Sequence, residues 1–298
     1  MRSLLQRPAV LLAFITVSIV WGTTFFAIRI GVEHIPPFLM AGLRQLTAGL
    51  ILLIYCVIRG IRFPKPKQWI QLAIPGILMI ALGNGLVSWG ETTVNSGLAA
   101  ILSAMTPVWV LLITLLFAPG ERVHPLRVTG VFIGFAGIVV LFYPELTEPL
   151  FIGQVPGLVA IALANMSWAA GTVYVSRHQT DASPLMAAGS QMLIAGAVLL
   201  MASAFTERDL PVAFTREATL SLVYLIIFGS VITYAAFLFL LKNLSATGSS
   251  AYAYINTIVA VFLGWLFLDE PLNSFIALGA TITLIGVYFV RRTYPKKS

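Results

Sequence analysis

Apolar runs of about twenty residues, parted by short breaks that hold nearly all of the charge, constrain this chain more than any other feature. Crossing the hydrocarbon of a bilayer takes roughly 20 apolar residues in a helix. Ten segments have that character, at approximately 9–31, 38–58, 69–92, 97–118, 126–143, 153–176, 185–205, 219–241, 247–268 and 275–291. The breaks carry turn and charge signals: Pro36-Pro37, Arg59 to Lys67 with two prolines, Pro119-Gly120-Glu121, Pro144 to Pro149 and Glu207 to Pro211. Composition agrees, with 59% hydrophobic and only 10% charged residues against the roughly 25% charged typical of a soluble domain. The expected fold class is all-α: a polytopic membrane protein of ten transmembrane helices.

The net charge of +7 does not point to nucleic acid, because the basic residues lie in loops and tails between apolar runs. They give an orientation instead. With the N-terminus inside, the inner segments hold Arg2, Arg7, Arg59, Arg62, Lys65, Lys67, Arg122, Arg127, Arg177, Lys242, Arg291, Arg292, Lys296 and Lys297. The outer segments hold only Arg29, Arg208 and Arg216, and Arg44 falls within a span. Both termini are expected in the cytoplasm, with the chain in a bacterial inner membrane.

The first apolar run follows Arg2 and Arg7 like a signal peptide, but it has a partner later in the chain. A shift of 147 residues places Trp21 on Trp168, Pro37 on Pro184, Arg44 on Gln191 and Gly49 on Gly196. A shift of 149 places Glu121 on Glu270, Gly130 on Gly279 and Gly137 on Gly286. The ordered matches at a near-constant offset read as a duplication, residues 1–147 and 148–298. Five spans per copy is an odd number, so the second copy enters the membrane inverted. Inverted repeats are a common construction of secondary transporters.

Several residues carry a family resemblance: Trp21-Gly22-Thr23, Arg44, the Gly97-Leu98-Ala99-Ala100 to Pro107 stretch and Glu121 before a glycine-rich span. The pattern recurs as Ser249 to Thr257, Glu270-Pro271-Leu272 and Gly279. Over nearly its whole length the chain resembles EamA-type ten-span exporters of the drug/metabolite transporter superfamily. The resemblance implies a central cavity lined by spans one, three, four, six, eight and nine, with spans five and ten as scaffold. It also implies export of small amphipathic metabolites, amino acids and above all aromatic ones, with other metabolites or cationic drugs as the alternative. Thr257 stands where family members usually carry a proline, which alters helix flexibility there. Gly130/Gly134 and Gly279/Thr283 form small-xxx-small pairs suited to close helix packing.

Polar groups within spans are costly and face protein or a wet cavity. The substrate-binding candidates are Trp21 and Trp168 at equivalent depths, Asn84 with Tyr234, Ser103 beside Pro107, and Tyr252, Tyr254 and Asn256 near Ser249. The bland alternative for the aromatic residues is core packing or lipid contact. Pro107 frees a backbone carbonyl that a ligand can use. Arg44 and Glu91 are gating or structural polar residues, expected to pair with each other; Glu121 and Glu270 are expected to cap helices or form salt bridges.

An intramembrane enzyme is disfavoured because His34, His124 and His178 all lie in connections and no span holds a nucleophile–base pair. A channel would not need inverted halves. No phosphate-binding loop occurs, so no ATPase chemistry or cofactor is expected. The single Cys56 allows neither an intrachain disulfide nor a thiolate metal cage. The expected partners are the lipid bilayer and a small-molecule substrate, with the chain a monomer or weak dimer.

Overall fold

Lipid offers a peptide group no hydrogen-bond partner, so each apolar stretch must close its backbone bonds on itself. The computed structural model describes residues 8–117, 125–143, 149–178, 180–244, 246–270 and 274–292, and every regular element among them is helical. In chain order these are α1 (Pro8–Val32), α2 (Pro37–Ile58), α3 (Pro66–Gly90), α4 (Ser96–Ser103), α5 (Thr106–Leu116) and α6 (Pro125–Phe142). There follow α7 (Pro149–Arg177), α8 (Pro184–Thr206), α9 (Arg216–Asn243), α10 (Ala246–Ser250), α11 (Tyr252–Phe267) and α12 (Ser274–Arg292).

Among the described residues, seven helical stretches are long and apolar enough to cross a bilayer: α1, α2, α3, α4 with α5, most of α7, α8 and α9. Tyr252–Phe267 and Ser274–Gly286 are apolar but shorter. The segment expected to run unbroken over 247–268 is interrupted at Ala251, which parts α10 from α11. Phe205 is 86% and Leu116 77% exposed, apolar surface suited to lipid.

Glycines set the closest helix contacts. Gly42 faces Leu200, Gly49 faces Leu193 and Gly189, and Gly196 faces Leu46, so α2 and α8 run antiparallel. A Cβ at Gly49 would lie 2.7 Å from the Leu193 backbone nitrogen. On α6, Gly137 faces Gly279 and Thr283, while Gly286 of α12 faces Gly130 and Gly134, again antiparallel. Without a hydrophobic drive between helices in lipid, such backbone-to-backbone approach supplies the packing energy.

Two carboxylates cap helices from across the fold. Glu207 accepts from the Phe38 and Leu39 amides at 2.8 and 2.9 Å, satisfying the start of α2. Glu270 accepts from the Ser96 amide and hydroxyl and from the Gly97 amide, at 2.7 to 2.9 Å, at the start of α4. Asp269 takes φ 52, a left-handed turn that brings Glu270 back to this site. Negative charge at a helix N-terminus is favourable. Glu121 lies outside the described residues.

Three helices depart from regular α geometry near the centre. α3 carries a π-helical stretch, Gly76–Asn84, directly after Pro75, whose missing N–H disrupts the normal ladder. α9 carries another, Leu225–Ile232, around Gly229. Pro107 lacks the N–H that would reach the Ser103 carbonyl one turn earlier, and the chain breaks there between α4 and α5.

Candidate functional site

The irregular centres of these helices leave a cavity of about 70 Å³ where α1, α3, α4, α5, α7 and α11 meet. It has room for a few waters. Trp21, Asn84, Ser103, Trp168, Tyr252 and Asn256 line it, joined by Thr24, Phe25, Thr106 and Asn165. Among the described residues, no acidic, basic or histidine side chain lines it.

Aromatic rings form one wall. The Trp21 ring meets Trp168 at 5.2 Å and 86°, and Tyr252 at 4.8 Å and 67°, both edge-to-face. Phe237 lies 5.1 Å from Trp21 and 5.6 Å from Trp168. Such pairs bring a positive ring edge to a negative face. Trp21 is held from behind: its Nε1 donates to the Gly229 carbonyl at 3.0 Å, within the π-helical stretch of α9. Thr23 and Tyr224 share a short hydrogen bond between the same two helices.

The polar groups on α7 are less satisfied. Asn165 Nδ2 is buried without a hydrogen-bond partner, while Asn165 Oδ1 accepts a long bond of 3.5 Å from Thr106 Oγ1. Trp168 Nε1 faces the Tyr252 hydroxyl without reaching hydrogen-bond geometry. Thr172 Oγ1, one turn further along α7, is also buried and unpartnered. Each such group left dry costs about 1–3 kcal/mol.

Other candidates lie elsewhere. Tyr234 does not line the cavity: its hydroxyl donates to Gln191 Oε1 at 2.5 Å, and its ring stands behind Trp168 at 6.2 Å. Gln191 borders a second cavity of about 40 Å³ with Gln71, Pro75, His178 and Lys242. Tyr254 turns the other way and packs with Met105, Val108 and Leu111. Ser249 sits on α10, buried, and the break at Ala251 separates it from the stripe it was expected to share with Tyr252 and Asn256. Thr257 donates to Ala253 O and Ala100 O, so α11 continues unbroken where a proline would have interrupted it.

Arg44 does not snorkel to the surface. It is 2% exposed and donates through Nε to Ser230 Oγ at 2.8 Å. The expected pairing with Glu91 is not formed; the one ion pair among the described residues joins Arg29 and Glu33 at 3.7 Å. Glu91 is fully buried, its carboxylate oxygens have no hydrogen-bond partner, and its backbone carbonyl accepts from Arg29. Asn165 is the residue that the sequence reading passed over. The signal was there: an amide in mid-span, one turn before a tryptophan already singled out.

Known proteins place this arrangement in a family. The model of the EamA-like transporter family matches twice, over residues 8–143 and 155–292. The uncharacterized inner membrane transporter YedA of Escherichia coli K12 is 37% identical over 289 residues, covering 96% of this chain and 92% of that protein. The uncharacterized transporter YoaV of Bacillus subtilis is 27% identical over 97% of this chain and 98% of its own length. A solved crystal structure, 21% identical, shares the fold with a TM-score of 0.70 over 95% of this chain and 97% of its own. Two family matches laid end to end, on an all-helical membrane scaffold, establish that the chain belongs to the EamA-like transporter family.

Proposed function

We propose that the protein is a secondary transporter of the bacterial inner membrane that exports small, net-neutral amphipathic metabolites, amino acids foremost, by alternating access. The observation that carries this reading is the cavity shared by both halves, lined by aromatic rings, amides and hydroxyls and by no charged side chain. A zwitterion needs both poles solvated in passage and must also be released. Neutral amides and hydroxyls replace water at both ends without the grip of a buried full charge. Rings add stacking worth about 0.5–1.5 kcal/mol beyond area burial, favouring aromatic substrates without excluding others.

Alternating access rests on two inverted five-helix repeats, residues 1–147 and 148–298, with both termini cytoplasmic. The antiparallel courses of α2 with α8 and of α6 with α12, helices at equivalent places in the halves, support the inversion. Alternating access requires the two halves to part in turn on either side of this cavity. The energy source is a gradient, with no ATPase partner.

Initial flux of phenylalanine and threonine into liposomes carrying the purified protein tests the reading. Saturable flux is expected, reduced for both substrates by Asn84→Leu and Asn256→Leu at equal protein density. Non-saturable flux, or flux of both substrates unaltered in these variants, would place the pathway elsewhere.

A further inference from the structure

The unpartnered polar groups on α7 fall in one line. Asn165, Trp168 and Thr172 stand at i, i+3 and i+7 and so share one helix face. Asn165 Nδ2, Trp168 Nε1 and Thr172 Oγ1 are all buried with no well-formed hydrogen bond from the protein, the Tyr252 hydroxyl facing Trp168 Nε1 out of bonding geometry. Asn165 is 5% exposed and Thr172 fully buried, so bulk water does not serve them. Thr106 Oγ1 lies 3.5 Å from Asn165 Oδ1, a long contact, with Nδ2 on the other side of the amide. Both Asn165 and Trp168 border the cavity.

An amide nitrogen and an indole nitrogen can only donate. What completes them must accept, and it must do so without a protein cation beside it, because none lines the cavity. An ammonium group finds no acceptor at these two nitrogens, since it presents donors to donors. A carboxylate or carbonyl oxygen fits. Resting on the transporter reading above, we propose that Asn165 Nδ2 and Trp168 Nε1 together receive the acceptor oxygens of the substrate, and that Thr172 takes the same pole one turn further along its path. The site therefore selects molecules bearing a carboxylate or carbonyl and rejects simple organic cations, even though its aromatic wall would welcome them.

The test uses the full-length protein in liposomes and three probes that share a ring: phenylalanine, 3-phenylpropionate and 2-phenylethylamine. The proposal expects saturable flux of a carboxylate-bearing probe, with KM raised roughly tenfold or more by Asn165→Leu. Asn165→Ser, which keeps a donor, recovers part of that loss. The thermal midpoint of ligand-free Asn165→Leu stays close to wild type, because Nδ2 gives up no protein bond and only the long Thr106 bond to Oδ1 is lost; a structural role would lower it and leave KM alone. Should Asn165→Leu fail to assemble, Trp168→Phe, which removes the N–H and keeps an aromatic ring, carries the same expectation for KM. Phenylalanine flux with unchanged KM in both variants would overturn the proposal and leave the amino-acid reading standing. Flux of phenylpropionate but not phenylalanine, sensitive to Asn165→Leu, would overturn the amino-acid reading and keep the proposal. Flux confined to phenylethylamine would overturn both, as would a panel in which no probe is carried and none raises the thermal midpoint.

Discussion

α1 and α7 occupy positions related by the 147-residue offset, and their inward faces use the same scaffold differently. Ser18 corresponds to Asn165, Trp21 to Trp168, Gly22 to Ala169 and Phe25 to Thr172. On α1 the polar atoms are closed on protein: Ser18 Oγ donates to Phe14 O at 2.7 Å and Trp21 Nε1 to Gly229 O at 3.0 Å. On α7 Asn165 Nδ2 and Trp168 Nε1 have no well-formed bond to protein, and Asn165 Oδ1 accepts only the long one from Thr106. Two stretches matched by the same family model thus carry one face anchored to its neighbours and one with unmatched polar atoms beside the cavity. The difference lies in a handful of side chains and not in the apolar pattern, which both helices share.

The largest expected effect tests the backbone spacing behind this contrast. A Cβ on Gly22 would come within 2.6 Å of Val259 Cβ and 2.8 Å of Asn256 O, whereas α7 already carries Ala169, fully buried, at the equivalent place. Gly22→Ala should cost about 1–3 kcal/mol by overpacking, and Ala169→Gly only about 1 kcal/mol, from helix propensity and one lost methyl. Thermal unfolding in detergent gives the order. Equal losses would mean that the two helices approach their neighbours alike, and the comparison would rest on side chains alone.

Exchange of the two tryptophans should separate stability from transport. Trp21→Phe removes the donor to Gly229 O and should cost about 1–2 kcal/mol. Trp168→Phe removes no well-formed protein bond, so it should lose less stability than Trp21→Phe while substrate affinity falls. The same measurements on both variants, midpoint and KM, decide it. If Trp21→Phe alone weakens substrate affinity and Trp168→Phe alone loses stability, the anchored and open faces have been assigned the wrong way round.

Much of this was legible in the residues, for a physical reason. Lipid forces apolar length and excludes charge from the middle, so the runs around Trp21, Arg44, Trp168 and Tyr234 declare themselves as helices. The positions of Trp21, Asn84, Ser103, Trp168, Tyr252 and Asn256 around one cavity follow from the rarity of polar and amphipathic groups at mid-span. Facing is harder to read. On helices apolar all round, periodicity does not say which side meets protein, and Tyr234 and Tyr254 turn to Gln191 and to Met105 instead. The π-helical stretches were also silent. Pro75 gives a local cause for the first, but the one around Gly229 has no proline and depends on a partner 208 residues away, Trp21. Arg44 was placed by charge logic beside Glu91, whereas packing of α2 on α9 gave it Ser230.

The smallest expected effect sits at the two ends of the compared faces. Ser18 Oγ bonds the Phe14 carbonyl of its own helix, a group the α-helical ladder also serves, so Ser18→Ala should change stability by no more than about 0.5 kcal/mol. Thr172→Val is nearly isosteric and removes a hydroxyl that is buried with no partner. Replacing an unsatisfied polar group by a methyl should be neutral or stabilising by up to about 1 kcal/mol. The two variants therefore look alike in the ligand-free protein and separate only with substrate. A ligand that binds the folded state raises the midpoint in proportion to its affinity. Phenylalanine should raise the midpoint of Ser18→Ala as much as that of wild type, and that of Thr172→Val less. A ligand-free Thr172→Val that loses stability would show that the hydroxyl already has a partner in the folded protein, and the α7 face would then be closed at this end as α1 is.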